Sequence, residues 1–485
     1  MSQPSIKKNF FYTLAYQVLT LITPLITAPY VSRVLGADGV GIYSYTASIM
    51  AYFTMFAALG TAQYGSREIA RLRDDIYLMS KAFYEIAIIV FFTTTICTVG
   101  WIILIFESDF YKYYFIALIP TLLATAFDIS WFYTGIEKMG YIVARNTICR
   151  IVGIIVLFLF VQKKEDLFLY MLLNSVIQLL GNISMWSYIK DLIVKVPFKT
   201  LSFTHHIKET LTYFIITIAI SLYTVLDKVL IGYITGDNYQ NGYYEQANKI
   251  IGMAKTISFA AINTIMGARL SYLFEKKAYD EICNRIRNSV DFILFMSFGF
   301  IFGILAVANN FVPFFFGDGY ESVIPLLCLM TPLLFFIALS TCLGSHYYLP
   351  SGQIKLSTKM TIQGSIINLC FNLILIPKFG ATGAVIGTLI GEGFIAAIYC
   401  IRGREYLPIS LIFNKSYKRI IAGCLMLISS YIIDYYSDFN KNITLFIQVV
   451  GVSCIYFLVL YILKDSFISY GYKIIESKIK KYGQN

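Results

Sequence analysis

Fourteen long, mostly apolar stretches recur along this 485-residue chain. An α-helix needs about 20 mostly apolar residues to cross the hydrocarbon core of a bilayer, and each stretch approaches that length. The pattern therefore predicts an all-α integral membrane protein with about 14 transmembrane helices. The stretches centre on Thr20, Tyr52, Thr94, Thr125, Gly153, Leu179, Ser221, Thr256, Phe300, Leu333, Leu369, Leu389, Ser429 and Tyr456.

Basic residues occur almost entirely in every second gap between these stretches. Of the 39 Lys and Arg residues, one set of segments holds 29 and the intervening loops hold six. Cytoplasmic loops are enriched in Lys and Arg, so this distribution predicts that both termini are cytoplasmic. The other four basic residues fall inside predicted helices. The basic segments are 1–9, 64–81, 135–145, 190–209, 269–289, 346–359, 401–419 and 464–485.

Composition excludes several classes of function. With 58% hydrophobic residues, 14% charged residues and a mean hydropathy of +0.68, the chain is not an ordinary soluble protein. The net charge of +11 lies mostly in short loops, where topology and anionic lipids explain it, so we expect no nucleic-acid partner. No Walker A sequence, HExxH motif or nucleophile triad is present, and we expect no enzymatic activity.

Cysteine and histidine patterns give no sign of a metal site. The nine cysteines are scattered without CxxC spacing and are typical of buried small hydrophobic residues. His205, His206 and His346 have no acidic or cysteine cluster beside them in the sequence. We therefore expect no metal and no cofactor, with Na⁺ or H⁺ as a candidate coupling ion.

Two halves of the chain have related local sequences. Residues 41–47 resemble 242–247, and Gly135–Lys138 has a counterpart in Gly352–Lys355. Each repeat contains six predicted helices, an even number, so both copies enter the membrane from the same side. We predict two six-helix lobes, 1–208 and 209–417, related by a pseudo-two-fold axis along the membrane normal. Residues 418–485 would add two C-terminal helices and a basic cytoplasmic tail.

The segment Asp128–Asn146, which contains Trp131, Gly135 and Arg145, resembles the signature of the Wzx-type polysaccharide repeat-unit flippases. These belong to the multidrug/oligosaccharidyl-lipid/polysaccharide exporter superfamily. The segments Ala28–Gly36 and Leu226–Gly232 agree with the same family. One departure is Thr134, where family members often have Gln.

The resemblance implies a function. Flippases of this kind move undecaprenyl-diphosphate-linked oligosaccharide repeat units from the inner to the outer leaflet of the bacterial cytoplasmic membrane. The implied mechanism is alternating access, and the implied partners are the lipid-linked glycan, membrane lipids, and a polysaccharide polymerase with other assembly proteins.

The candidate substrate-binding groups are the four basic residues inside predicted helices, together with two that lie at helix ends in the family-like segments, Arg33 and Arg145. A charged side chain costs roughly 2.5–3.5 kcal/mol at the bilayer centre on insertion scales, so such residues usually face a cavity or a partner. Arg145 and Arg150 would bind the diphosphate near the inner mouth, because arginine binds phosphate oxygens through two donors; snorkelling to headgroups is the alternative for both. The full candidate set is Arg33, Arg145, Arg150, Lys228, Lys249 and Lys255.

Acidic residues in the apolar stretches are candidates for ion coupling or gating pairs. Asp128 is expected to meet Arg145 or Arg150, and Glu245 precedes Lys249 by four residues, the favourable order for an ion pair on a helix. Carboxylates in transporters bind ions or shuttle protons, but pairing with a basic residue is at least as common. The candidates are Glu85, Asp128, Asp227 and Glu245, and Asp291 and Glu392 are further acidic residues in apolar stretches.

Three rival functions differ in their sequence requirements. A cation-coupled multidrug antiporter of the same superfamily is expected to carry a carboxylate in the first helix, and residues 10–32 contain none. A peptidoglycan-precursor flippase shares the diphosphate carrier and stays open. A membrane glycosyltransferase or polymerase would need a large external loop or a catalytic carboxylate cluster, and neither is present.

Overall fold

The computed structural model describes the backbone of residues 6–437 and 439–469. Side chains are described over the same ranges except at 6–16, 216, 219–220, 222–224 and 260–268. Within these ranges the chain contains helices and connecting turns and no β-strand. The basic tail expected at the C-terminus lies outside the described residues.

Seventeen α-helices occur in the described residues, and contacts divide the chain into one compact unit up to Gly242 and another from Tyr243. The lobe boundaries expected at 208 and 417 follow the sequence repeat and stay a prediction. The helices are α1 Ile6–Ala58, α2 Thr61–Leu72, α3 Ile76–Glu107, α4 Lys112–Ala126, α5 Ser130–Gly135, α6 Met139–Phe160, α7 Leu167–Ser184, α8 Thr204–Thr224, α9 Leu226–Thr235, α10 Asn238–Glu275, α11 Tyr279–Phe316, α12 Val323–Met330, α13 Leu333–Leu343, α14 Ile354–Phe379, α15 Ala381–Arg402, α16 Ile409–Tyr436 and α17 Lys441–Ile462.

Every predicted apolar centre lies in one of these helices. Within the described ranges, eleven helical segments are long and apolar enough to cross a membrane. The number differs from fourteen because α1 runs through two predicted helices, and because the helices at Ser221 and Thr256 are not among the eleven. The chain is a multi-span, all-helical membrane protein; the count of fourteen and the two-fold relation stay predictions.

A bend within α1 separates the first two predicted helices. At Gly36 the backbone has φ 69° and ψ 175°, outside the helical region, and the helix then resumes. Glycine adopts a positive φ at little cost because it has no Cβ. The arms 6–35 and 37–58 each exceed the roughly 20 residues that a spanning helix needs.

One face of α3 is an exposed apolar stripe. Its residues are spaced by three or four positions, which places them on one side of the helix, and their side chains are 54% to 73% exposed. Exposed apolar surface of this extent is typical of membrane contact. The stripe therefore marks the lipid-facing side of α3. Its members are Phe92, Ile96, Val99, Ile103 and Phe106.

The family-like segment after α4 is a packing element of the first unit. The buried Trp131 ring stacks on Phe83 of α3, with ring centroids 5.6 Å apart. Gly135 allows α2 to approach α5 closely, since a Cβ there would lie 2.7 Å from an α2 side chain. Thr134, the position that departs from the family, donates its hydroxyl to the Ser130 carbonyl at 2.9 Å.

Close packing of α14 on α15 dominates part of the second unit. Gly383, Gly387 and Gly391 recur at intervals of four residues along α15. A Cβ at Gly383 would lie 2.4 Å from the Leu375 carbonyl oxygen, and one at Gly387 would lie 2.1 Å from Asn372 Oδ1. This geometry confirms that the glycine spacing permits close helix packing.

A buried ionic cluster joins α11, α16 and the segment after α17 in the second unit. Arg419 is fully buried and contacts the carboxylates of Asp291 and Asp465, while Lys415 Nζ lies 2.7 Å from Asp291. The expectation of a loop that extends to residue 419 is wrong, because α16 already begins at Ile409. The cytoplasmic side of this segment stays a prediction. Asp291 is neutralised by these partners.

Candidate functional site

A cavity of about 540 Å³ lies in the first unit among α1, α6 and α7. Many of its lining side chains are polar, and the candidate residues Arg145 and Arg150 are both among them. We call it the arginine cavity. Its lining residues are Thr23, Thr27, Asp128, Arg145, Asn146, Cys149, Arg150, Gly153, Ile154, Leu157, Tyr170, Asn174, Ile177, Gln178 and Asn182.

Helical periodicity explains how α6 presents both arginines. Arg145 and Gly153 are eight residues apart, about two helical turns, and lie along one side of α6. Arg150 lies on the neighbouring side, so the two sides together form a wide face of the helix. A Cβ at Gly153 would meet no atom within 4 Å, and the missing side chain therefore leaves open space in the cavity. Near Arg145 the helices are tight, since a Cβ at Gly181 would lie 2.4 Å from Cys149 Sγ.

Arg150 lies further from the start of its helix than the sequence indicates. It is the twelfth of the 22 residues of α6, about 16 Å along the helix from its first residue at 1.5 Å per residue. The sequence placed Arg150 in the first turns of its helix, where snorkelling would be easy. The structure corrects this, because a position halfway along a membrane-length helix lies far from both ends.

Arg145 is oriented by a set of neutral amides. Its Nη1 donates to Asn182 Oδ1 at 2.7 Å, and its Nη2 and Nε donate to Asn146 Oδ1 at 2.7 and 2.9 Å. Asn182 is itself fixed, because its Nδ2 donates to the Ala124 carbonyl at 2.7 Å. The predicted ion pair between Arg145 and Asp128 is present but long, with Nη1 and Oδ1 3.8 Å apart.

The charge of the arginine cavity is positive. Among the described residues that line it, two are arginines and one, Asp128, is acidic. The Asp128 carboxylate is half exposed and also accepts the Ser130 backbone N–H at 2.9 Å, so it offsets Arg145 only in part. A guanidinium held by neutral amides retains its charge for an anionic ligand.

Four other predicted site residues of the first unit do not line this cavity: Arg33, Glu85, Asp227 and Lys228. Asp227 is buried in the first turn of α9, and Lys228 beside it is half-buried, with its carbonyl accepting from Asn241. Lys228 lies on a different helix from the residues that precede it, because α8 ends at Thr224 and α9 begins at Leu226. Arg33 is exposed, three residues before the bend at Gly36.

Three predicted residues lie on α10 in the second unit. Glu245 and Lys249 form the expected pair, with Oε1 and Nζ 3.7 Å apart. Lys255 is half-buried, further along the same helix. Their roles in substrate binding or coupling stay predictions.

Glu85 belongs to a buried network that the sequence did not reveal. His206 Nε2 lies 2.8 Å from Glu85 Oε2, and His206 Nδ1 lies 2.6 Å from the Tyr64 hydroxyl. The Ser202 backbone N–H also donates to Glu85, and Lys81 Nζ is 3.9 Å away. Since 121 residues separate Glu85 from His206, no local spacing could have indicated this contact.

The bundle of membrane-length helices and its charged internal cavity define a membrane protein of transporter architecture. Solved structures share the fold. The lipid II flippase MurJ in an inward closed conformation matches with a TM-score of 0.68 and 16% identity, over 95% of this chain and 99% of that one. An inward-facing multidrug resistance MATE family transporter of the MOP superfamily matches with a TM-score of 0.60 and 14% identity, over 80% and 94%.

Sequence comparison gives the family. The family described as polysaccharide biosynthesis protein matches residues 6–266, more than half of the chain, and the chain belongs to it. A protein of Escherichia coli K12 named as an O-antigen transporter is 24% identical over 81% of this chain and 95% of its own. A Shigella dysenteriae protein of the same name is 24% identical over 80% and 98%. These relatives are named as transporters and not as enzymes, as expected.

Proposed function

We propose that this protein translocates an undecaprenyl-diphosphate-linked oligosaccharide from the inner to the outer leaflet of a bacterial cytoplasmic membrane by alternating access. Both termini would be cytoplasmic, as the distribution of basic residues predicts. We further propose that transport is coupled to the movement of Na⁺ or H⁺ across the membrane. The observation that carries the proposal is the arginine cavity, with Arg145 near one end of α6 and Arg150 at its middle.

The diphosphate of the proposed substrate needs a polar path across the membrane. In hydrocarbon it would lose its hydration without compensation, which costs far more than the protein can recover from apolar contacts. Guanidinium groups replace water by donating two parallel hydrogen bonds to phosphate oxygens. Two arginines at different depths give the diphosphate successive partners along α6.

The comparisons support the same substrate class. Relatives named for O-antigen transport and for lipid II flipping suggest a glycan on a lipid carrier. The MATE neighbours suggest a multidrug antiporter as a second candidate. A positively charged cavity disfavours the cationic substrates of such an antiporter, because like charges repel in a low dielectric. A peptidoglycan precursor would fit the arginines equally well and differs only in its sugars.

The test is genetic and then biochemical. We expect deletion of the gene to leave undecaprenyl-linked repeat units on the inner leaflet and to abolish surface polysaccharide. Unchanged polysaccharide together with increased drug sensitivity would contradict the proposal and favour the antiporter. Dependence of transport on imposed Na⁺ or H⁺ gradients in proteoliposomes identifies the coupling ion.

A matched pair of arginine variants tests the site. Arg150→Ala removes a cavity arginine, and we expect it to fail in complementation at normal membrane expression. Arg404→Ala removes an exposed arginine between α15 and α16 and should complement fully. Equal polysaccharide yield from both variants would refute the role of Arg150.

A further inference from the structure

A second, smaller cavity adjoins the arginine cavity. Its volume is about 210 Å³, and it lies among the 37–58 arm of α1, α4 and α7. The two cavities share Asn174 and Gln178, which are one turn apart on the same face of α7. A ligand that extends beyond the arginines along α7 would therefore enter the second cavity.

The chemistry of the two cavities differs. Among the described residues that line the second cavity, none is charged, and we call it the neutral cavity. Hydroxyl groups come from Thr54, Thr121 and Ser175, and amides come from the two shared residues. This lining offers donors and acceptors without an excess charge, which suits a neutral, hydroxyl-rich ligand.

Some of these polar groups are fixed and others are open. Thr121 donates to the Ser175 hydroxyl at 2.9 Å, and Ser175 donates to the Met171 carbonyl at 2.8 Å. Asn174 is exposed and uses its Nδ2 on the Tyr170 carbonyl at 2.8 Å, which leaves its Oδ1 as an acceptor. Gln178 is exposed and makes no hydrogen bond to any other described residue. Its amide is therefore open to a ligand.

Aromatic rings mark the junction between the cavities. Tyr43 lines the neutral cavity and Tyr170 lines the arginine cavity, and their rings meet edge to face with centroids 5.3 Å apart. The C–H face of a sugar ring packs against such aromatic surface, while its hydroxyls bond to neighbouring amides. The junction thus combines both kinds of contact that a sugar needs.

We propose that the neutral cavity binds the sugar attached directly to the diphosphate, with Gln178 and Asn174 as its hydrogen-bonding residues. The inference rests on the proposed function, in which the diphosphate occupies the arginine cavity. The sugar is bonded to the diphosphate, so its site must adjoin the arginines. Sugar selection would then be made in the neutral cavity, and the arginines would recognise the carrier alone.

The experiment compares two probes on the full-length protein in nanodiscs. One is a short polyprenyl diphosphate, and the other is the same lipid carrying one N-acetylhexosamine. We expect Gln178→Ala to weaken binding of the glycosylated probe by about 2- to 10-fold, the effect of one lost hydrogen bond, and to leave the bare diphosphate unaffected. Arg150→Ala should weaken both probes.

Gln63→Ala, at an exposed glutamine on α2, is the matched control and should change neither affinity. Equal weakening of both probes by Gln178→Ala, or no effect on either, would overturn the sugar site while leaving the diphosphate site intact. Failure of the wild-type protein to bind either probe would instead overturn the proposed function itself.

Discussion

Arg145 is held in place by neutral amides, and this determines how it can act on a ligand. Asn182 accepts from Arg145 and donates to the Ala124 carbonyl, so the guanidinium has a fixed position before any ligand arrives. A fixed donor loses less conformational entropy on binding than a free one. We therefore assign Asn182 as a positioning residue for Arg145.

Substitutions of Asn182 test this assignment. Asn182→Ala should weaken binding of a polyprenyl diphosphate by about 2- to 10-fold, because one orienting hydrogen bond is lost. Asn182→Asp should weaken it further, because a carboxylate beside Arg145 would offset its charge. Isothermal titration with the reconstituted protein measures both. If Asn182→Asp bound as tightly as the wild type, Arg145 would not be an anion-binding residue.

At the residue scale, the sequence could reveal charges but not their partners. The sequence indicates Arg150 because few basic residues interrupt an apolar helix, and such residues usually face a cavity. It indicates Arg145 through the family-like segment Asp128–Asn146 that contains it. The pairing of Arg145 with the amide of Asn182 depends on how α7 packs against α6, which no local pattern encodes. The Glu85 to His206 contact was missed for the same reason.

At the scale of elements, two glycines from matched positions of the sequence repeat pack against each other's helix. A Cβ at Gly41 would lie 1.8 Å from the Asn238 carbonyl oxygen, and one at Gly242 would lie 2.1 Å from the Ala37 carbonyl oxygen. Backbone meets backbone at this contact, so no side chain can move aside. Glycine is required there for close approach and not for a turn.

Gly41→Ala should destabilise the protein by about 1–3 kcal/mol through overpacking. Gly252→Ala is the control, since a Cβ at that helical glycine of α10 meets nothing within 4 Å. Alanine has the higher helix propensity, so the control should be neutral or slightly stabilising. Thermal unfolding in detergent compares the two, and an unchanged midpoint for Gly41→Ala would show that the helices separate at no cost.

The buried network of Glu85, His206 and Tyr64 joins α3, α8 and α2. Glu85→Ala would leave His206 and the Ser202 N–H without their acceptor, and we expect a loss of about 1–3 kcal/mol in stability. A double-mutant cycle with His206→Ala measures the coupling directly. Additive effects would mean that the contact contributes nothing. Arg73→Ala, which breaks the exposed pair with Glu137, should cost far less.

At the scale of the whole molecule, hydropathy located the helices well and their ends poorly. A window of apolar residues identifies the part of a helix that lies in hydrocarbon, but α11 is 38 residues long and continues beyond any such window. Charged residues near helix ends were therefore assigned to loops. Arg419 is the clearest case, since burial against two carboxylates keeps a charged residue inside the protein.

The orientation of the chain is the whole-molecule property on which the direction of transport depends. The excess of Lys and Arg predicts that Lys199 faces the cytoplasm and Lys163 the exterior; both side chains are exposed. In intact cells a membrane-impermeant maleimide should label Lys163→Cys above the background of the nine native cysteines, and should label Lys199→Cys only after lysis. Removing one basic residue leaves the overall excess nearly unchanged, so neither substitution should alter the topology. The reverse labelling pattern would invert the orientation and, with it, place the Arg145 end of α6 on the outer side.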